Sequence, residues 1–153
     1  MLLQFQDGLT ITNHFDPECA ALADRHYSRR TVGARQFCYS GRKIVLRDAV
    51  GSVVFVWMFP DPSMRMDHRA GFHNTLFRNE SSRRSSEIIL EAEEFAVRKW
   101  GVGRAWSFID SRKIKSHHPG YCYLVAGWDY ERDAAGQLVF TKDGKHVITK
   151  VLA

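Results

Sequence analysis

The chain has 153 residues, 44% of them apolar, and a net charge of +5 with a pI of about 9.3. That length suits one domain over 1–153, and the apolar content excludes a disordered chain. The longest apolar run, Val53 to Phe59, is strand-sized and too short for a membrane span, and "MLLQFQDG" lacks the layout of a signal peptide.

The first predicted element is a helix in "FDPECAALADRHYSRR". Asp16 caps it, Pro17 takes the first helical position, and Cys19, Leu22, Ala23 and His26 form one inward stripe. His26, Tyr27 and Ser28 thus gather at the helix exit, followed by Arg29 and Arg30. "RKIVLRD" and "SVVFVWMFP" read as an antiparallel pair, the second a central strand covered on both faces and ended by Pro60 and Pro62. "PDPSMRMDHRAG" reads as a loop and "FHNTLFRNE" as a further strand.

A long helix then begins after "NESSRRSSE" and ends at Gly101, with Ile88, Ala92, Phe95 and Ala96 on its inner face and Glu94 one turn from Arg98. "RAWSFID" is a strand ending on Asp110, and "SRKIKSHH" is a basic connection. "PGYCYLVAGWDYE" is a short element turning at Gly127 into a strand, and "QLVFTKDGKHVITKV" is a hairpin turning at Asp143-Gly144. The order predicts an α/β (α+β) domain around one mixed, mostly antiparallel sheet flanked by helices, with no βαβ repeat.

Four features can carry chemistry. At the long helix start, Ser85 or Ser86 can cap and Glu87 suits the dipole, but Arg83 and Arg84 oppose it. Ser82, Ser85 and Ser86, the free N–H groups and two guanidiniums would together cradle a phosphate; a solvated loop is the alternative. His26 can serve as general base or metal ligand with Tyr27 or Ser28 as proton carriers, or be a satisfied core histidine. Asp110 can be a base, an orienter of His26, or a strand-end carboxylate with backbone partners. In "HHPGYCYLVAGWDY", Tyr121 stands beside the turn as a site candidate, whereas Tyr123 and Trp128 suit the core or a stack on a flipped base. Asp67, His68 and His73 have no recognised metal-ligand spacing.

Arginine supplies 15 of the 22 cations, and seven cations fall between Arg25 and Arg47, a balance suited to phosphates and bases. Cys19, Cys38 and Cys122 form no CxxC pair, which points to a reducing cytoplasm.

"ADRHYSRR", "LFRNE", "SSEIILEAEEFAVRKWG", "SFID" and "HPGYCYLVAGWDY" together resemble the phage Mom-like DNA-modification proteins, a divergent branch of the GNAT-type N-acetyltransferase fold, over roughly Ala23 to Tyr130. The resemblance implies a mixed, splayed sheet whose donor binds at the N-terminus of the long helix after the fourth strand. It implies a bacteriophage-type transferase, cytoplasmic in the host, that carbamoylmethylates the N6 amine of adenine in DNA against restriction. Arg29, Arg30, Arg78, Asn79 and Tyr123 are then the candidate DNA-binding residues. The chain departs from ordinary acetyltransferases in having no glycine between Asn79 and Gly101. A backbone without glycine cannot approach a pyrophosphate as closely. The donor is therefore open between an acyl-CoA thioester and an aminoacyl (glycyl) tRNA. Two alternatives remain: an acyl-CoA-dependent N-acyltransferase acting on a small amine or protein, and a non-catalytic nucleic-acid-binding domain.

Overall fold

The computed structural model describes residues 8–26, 32–33, 37–38, 41–60, 69–113 and 120–153. In chain order the elements are β1 (Thr10–Thr12), α1 (Pro17–Asp24), β2 (Lys43–Arg47), β3 (Val53–Met58), β4 (Phe72–Asn79), α2 (Ser85–Trp100), β5 (Gly103–Ile109), α3 (Tyr121–Val125), β6 (Asp129–Tyr130) and β7 (His146–Leu152). All strands join one seven-stranded sheet in the order β1-β2-β3-β4-β5-β7-β6. Every neighbouring pair is antiparallel except β4 and β5, which are parallel and joined through α2. The sheet is thus mixed and mostly antiparallel, as expected.

Strand β3 is the central strand that its unbroken apolar run predicts. Val53, Phe55 and Trp57 face a core shared with Ile88, Ile89, Ala92 and Ala96 of α2, while Val54, Val56 and Met58 face Cys19, Leu22 and Ala23 of α1. All six residues of β3 are buried, so the sheet separates two apolar layers. Among the described residues no helix is long and apolar enough to cross a membrane.

Local chemistry sets the boundaries. Asp16 caps α1 by accepting from Glu18 N at 3.0 Å and Cys19 N at 3.2 Å, and Pro17 occupies the first turn. The carboxylate also holds Arg47 at 2.9 Å, tying the cap to β2. Between β2 and β3, Asp48 accepts from Ser52 N at 2.7 Å and Val53 N at 3.0 Å, which closes the hairpin. Helix α2 ends at Gly101 with φ 85°, a conformation that favours glycine.

Two sequence expectations change. The N-cap of α2 is Arg84, and no side chain caps the helix. Ser85 is already the first residue of the helix, and its hydroxyl accepts from Asn79 Nδ2 at 3.0 Å. The expected hairpin does turn at Asp143-Gly144, with Gly144 N donating to Thr141 O at 2.9 Å, but its first arm is not a strand. β7 pairs with β5 over seven residues on one side and with β6 on the other, so 137–140 adds only two isolated bridges, Leu138 to Arg132 and Phe140 to His146.

Candidate functional site

The site candidates lie along the C-terminal half of β4. β4 and β5 pair only at Phe72–Ala105, His73–Trp106 and Asn74–Ser107. Beyond that point β4 pairs with β3 alone and β5 with β7 alone, so the two parallel strands part.

A bulge accompanies the parting. Val56 faces Leu76 and Trp57 faces Asn74, which leaves Thr75 as the extra residue of β4. The buried Asn74 amide repairs the interrupted ladder: Nδ2 donates to Val56 O at 3.0 Å and Leu76 O at 2.9 Å. Ser107 Oγ closes the β5 side by donating to Asn74 O at 2.8 Å. The remaining Asn74 oxygen accepts from the hydroxyl of Tyr123, which reaches in from α3. Tyr123 is 6% exposed and its ring packs edge-on to Trp128 and Phe77. It is therefore a core ring whose polar tip stands where the strands part. Trp128 is core as well, donating through Nε1 to the buried Glu93 at 3.1 Å. Tyr121, by contrast, is 61% exposed on the outer side of α3.

Five residues of strand further on, about 17 Å at strand rise, β4 ends in the loop leading to α2. Asn79 organises that loop without glycine. Its Nδ2 donates to Arg83 O at 2.8 Å as well as to Ser85, and its Oδ1 accepts from Ser81 N at 2.9 Å. Ser81 Oγ in turn accepts from Arg83 N at 3.2 Å. The Asn79 amide thus builds the loop, with both its nitrogen and its oxygen engaged there.

The two arginines at this helix start differ. Arg83 is paired with Glu91 at 2.9 Å, and the other oxygen of Glu91 accepts from Leu9 N at 2.9 Å. Arg84 is exposed and its side chain makes no hydrogen bond or ion pair among the described residues, while its carbonyl accepts from Glu87 N and Ile88 N. Ser82 is exposed and Ser86 half-buried. With no side-chain cap, the first-turn N–H groups of Ser85 and Ser86 are unspent and carry the positive end of the helix dipole.

His26 stands just past the exit of α1, half-buried, with its imidazole hydrogen-bonded to the main chain of Phe77, on the part of β4 that has lost β5. Burial first, and then the Arg78 charge, lower its pKa to about 4, so the ring is neutral at pH 7. Arg78 projects from β4 and donates through Nη1 to Arg25 O at 3.1 Å. His26, the end of β4 and the loop before α2 are therefore neighbours.

Asp110, at the end of β5, has partners of its own. Its buried carboxylate is held by Arg112, through Nε at 3.0 Å and the main-chain N at 3.1 Å. The Arg112 guanidinium keeps it below the usual carboxylate range. The pairing of Asp110 with His26 that the sequence left open is thus replaced by separate partners for each.

His73 faces neither group. It stacks on Trp106 at 3.9 Å between ring centroids, and burial lowers its pKa to about 3. Among the described residues no cluster of His, Cys, Asp and Glu could hold a metal ion. Tyr27, Ser28, Arg29, Arg30, Asp67 and His68 lie outside the described residues.

Sequence reasoning missed Asn74 and Glu80. Asn74 sits in an ordinary strand pattern, and only the bulge gives its amide a task. Glu80 reads as one polar letter of a loop; the acidic residue directly after a strand bearing Arg78 is the signal that could have singled it out. The chain matches no protein-family model, and neither a curated protein nor a solved structure matches it significantly.

Proposed function

We propose that this protein is a DNA-modifying transferase that moves a glycine-derived or acyl group from a phosphate-bearing donor to the N6 amine of adenine. The parting of β4 and β5 carries the proposal. Among the described residues it leaves β4 beyond Asn74 without a strand partner on the β5 side, with the buried hydroxyl of Tyr123 at the apex and the uncapped N-terminus of α2, with Arg84, about 17 Å further along β4. An extended donor arm would lie along that edge as an added strand does, with its phosphate at the N-terminus of α2. The mixed sheet with a long helix after its fourth strand suits the GNAT-type arrangement that the sequence resemblance implies.

The chemistry requires an amine whose lone pair is delocalised to attack a carbonyl carbon. The N–C bond forms, the bond from that carbon to the donor's sulfur or oxygen breaks, and the amine loses a proton as attack develops. His26 is the proton acceptor of this scheme by position, beside the main chain of Phe77 on the part of β4 that has lost β5, whereas Asp110 is held by Arg112. The leaving group takes its proton from the Tyr123 hydroxyl. Arginine-rich surroundings would hold the DNA backbone.

The test is mass spectrometry of nucleosides from the DNA of cells expressing the wild-type chain or His26→Ala. A modified deoxyadenosine present with the first and lost with the second is expected. Unmodified adenine alone, with wild-type protein soluble, would overturn the proposal.

The 17 Å spacing also favours a second reading. A coenzyme A thioester has a long arm of that kind, and an N-acyltransferase acting on a small amine would use the same cleft. Binding of coenzyme A that is lost in Arg84→Ala, without any DNA product, would select it.

A further inference from the structure

Beside the mouth of the cleft, three charged side chains from distant parts of the chain meet. Arg25, at the C-cap of α1, forms a fork on Glu80: Nε to Oε2 at 2.7 Å and Nη2 to Oε1 at 3.0 Å. Arg78, at the end of β4, reaches the same Oε2 through Nε at 2.9 Å. Two guanidiniums thus converge on one carboxylate, leaving one positive charge in excess. Neither is spent, because each guanidinium offers five N–H donors and uses two of them here.

The backbone places the group. Arg25 O accepts from Arg78 Nη1, so the Arg78 guanidinium keeps a main-chain anchor whatever happens to the carboxylate, and Glu80 N donates to Ser52 O at 2.8 Å. The ion pairs themselves are half-exposed, with side-chain exposures of 50% for Arg25, 37% for Arg78 and 31% for Glu80. They are partly open to solvent, so an incoming anion can reach both guanidiniums. A phosphate offers more oxygens and more charge to the same planar forks than a carboxylate does.

We propose that Arg25 and Arg78 form a phosphate seat, that the Glu80 carboxylate occupies it in the free protein, and that an incoming phosphate displaces it. Glu80 then acts as an internal competitor. It discourages isolated phosphates and admits ligands that bring further contacts. The phosphate can belong to a nucleic-acid backbone or to a small phosphate-bearing molecule, since both present the same oxygens to the forks.

Glu80→Gln in the full chain tests this, because it keeps the side-chain shape and removes the competing charge. Binding is measured by calorimetry at fixed low salt with two probes, inorganic pyrophosphate and a short DNA duplex. At least one probe should bind about two- to fivefold more tightly to Glu80→Gln than to wild type. A gain confined to the duplex assigns the seat to the nucleic-acid backbone, a gain confined to pyrophosphate assigns it to a small ligand, and a gain with both shows that it accepts either. Unchanged or weaker binding of both probes by folded Glu80→Gln overturns the proposal. Should that variant fail to fold, Arg25→Gln decides. It should weaken the same binding, and unchanged affinity for both probes would overturn the proposal. These affinities are independent of catalysis, so a failed search for modified nucleosides leaves the seat standing, and a failed seat leaves that search unaffected.

Discussion

The hydroxyl of Tyr123 donates to Oδ1 of Asn74 at the point where β4 and β5 stop pairing. One amide there closes a bulge with its nitrogen and anchors a short helix with its oxygen. Tyr123→Phe should destabilise the fold by about 1–3 kcal/mol, because it strands a buried acceptor. Asn74→Ala should cost more, since the carbonyls of Val56 and Leu76 also lose their donor. Urea unfolding of the two variants checks the order, and a Tyr123→Phe curve superimposable on wild type would contradict the bond.

Glu93 is the buried acid of α2. It accepts from Lys150 Nζ at 2.7 Å and from Trp128 Nε1 at 3.1 Å, and Lys150 also donates to Ala126 O at 2.8 Å. Glu93→Ala should cost about 3 kcal/mol by leaving a largely buried ammonium without its counter-charge. Adding Lys150→Met should recover part of that loss. A double-mutant cycle measures the coupling, and strictly additive effects would show that the pair is not a unit.

The two low-pKa histidines give a pH dependence of definite sign. In the folded chain burial lowers His26 to about 4 and His73 to about 3, from 6.5. The unfolded chain therefore binds more protons over that interval, so stability is complete above pH 6.5 and is lost as pH falls towards 4 and then 3. Glu80 acts in the same sense at lower pH: Arg25, and then Arg78, hold it at about 2, so its contribution is present above 4.5 and is lost as pH falls through 2. Melting temperatures recorded across this range should fall steadily with acid. His73→Phe keeps the stack on Trp106 without a titrating ring and should flatten the slope, and an unaltered slope would contradict the assignment.

Arg83 and Arg84 are adjacent in sequence and should behave differently. Arg83→Ala breaks the pair with Glu91 and should lower stability by about 0.5–1 kcal/mol. Arg84→Ala removes an exposed side chain and should leave the melting temperature almost unchanged while weakening pyrophosphate binding severalfold. Thermal melts paired with calorimetry separate the two roles, and equal anion affinity in wild type and Arg84→Ala would remove Arg84 from the cradle.

Much of the fold is legible from periodicity and end signals. Asp16 and Pro17 announce α1, Gly101 stops α2, and the unbroken apolar run marks β3 as central. The parallel pairing of β4 with β5 is not legible, because a strand's partner depends on where the crossover helix packs. The cap of α2 misleads for a related reason: Ser85 has the right chemistry, but the loop that Asn79 organises starts the helix at Ser85 itself and leaves Arg84 at the cap. Site chemistry is legible only as residue types. His26 and Asp110 look equivalent as bases until Phe77 and Arg112 appear as their separate partners.

Three residue pairs are all that joins β1–β4 to β5–β7–β6 through main-chain pairing, whereas β3 with β4 and β5 with β7 run in long register. Side chains make up for that short seam: Trp57 and Phe72 on one side share a single apolar core with Ala105, Ile109 and Ile148 on the other, and His73 stacks on Trp106 across it. The two halves of the sheet are thus joined more by packing than by main-chain pairing, so a cavity-forming change at Phe72 or Ala105 would loosen the join more than the loss of one ladder bond.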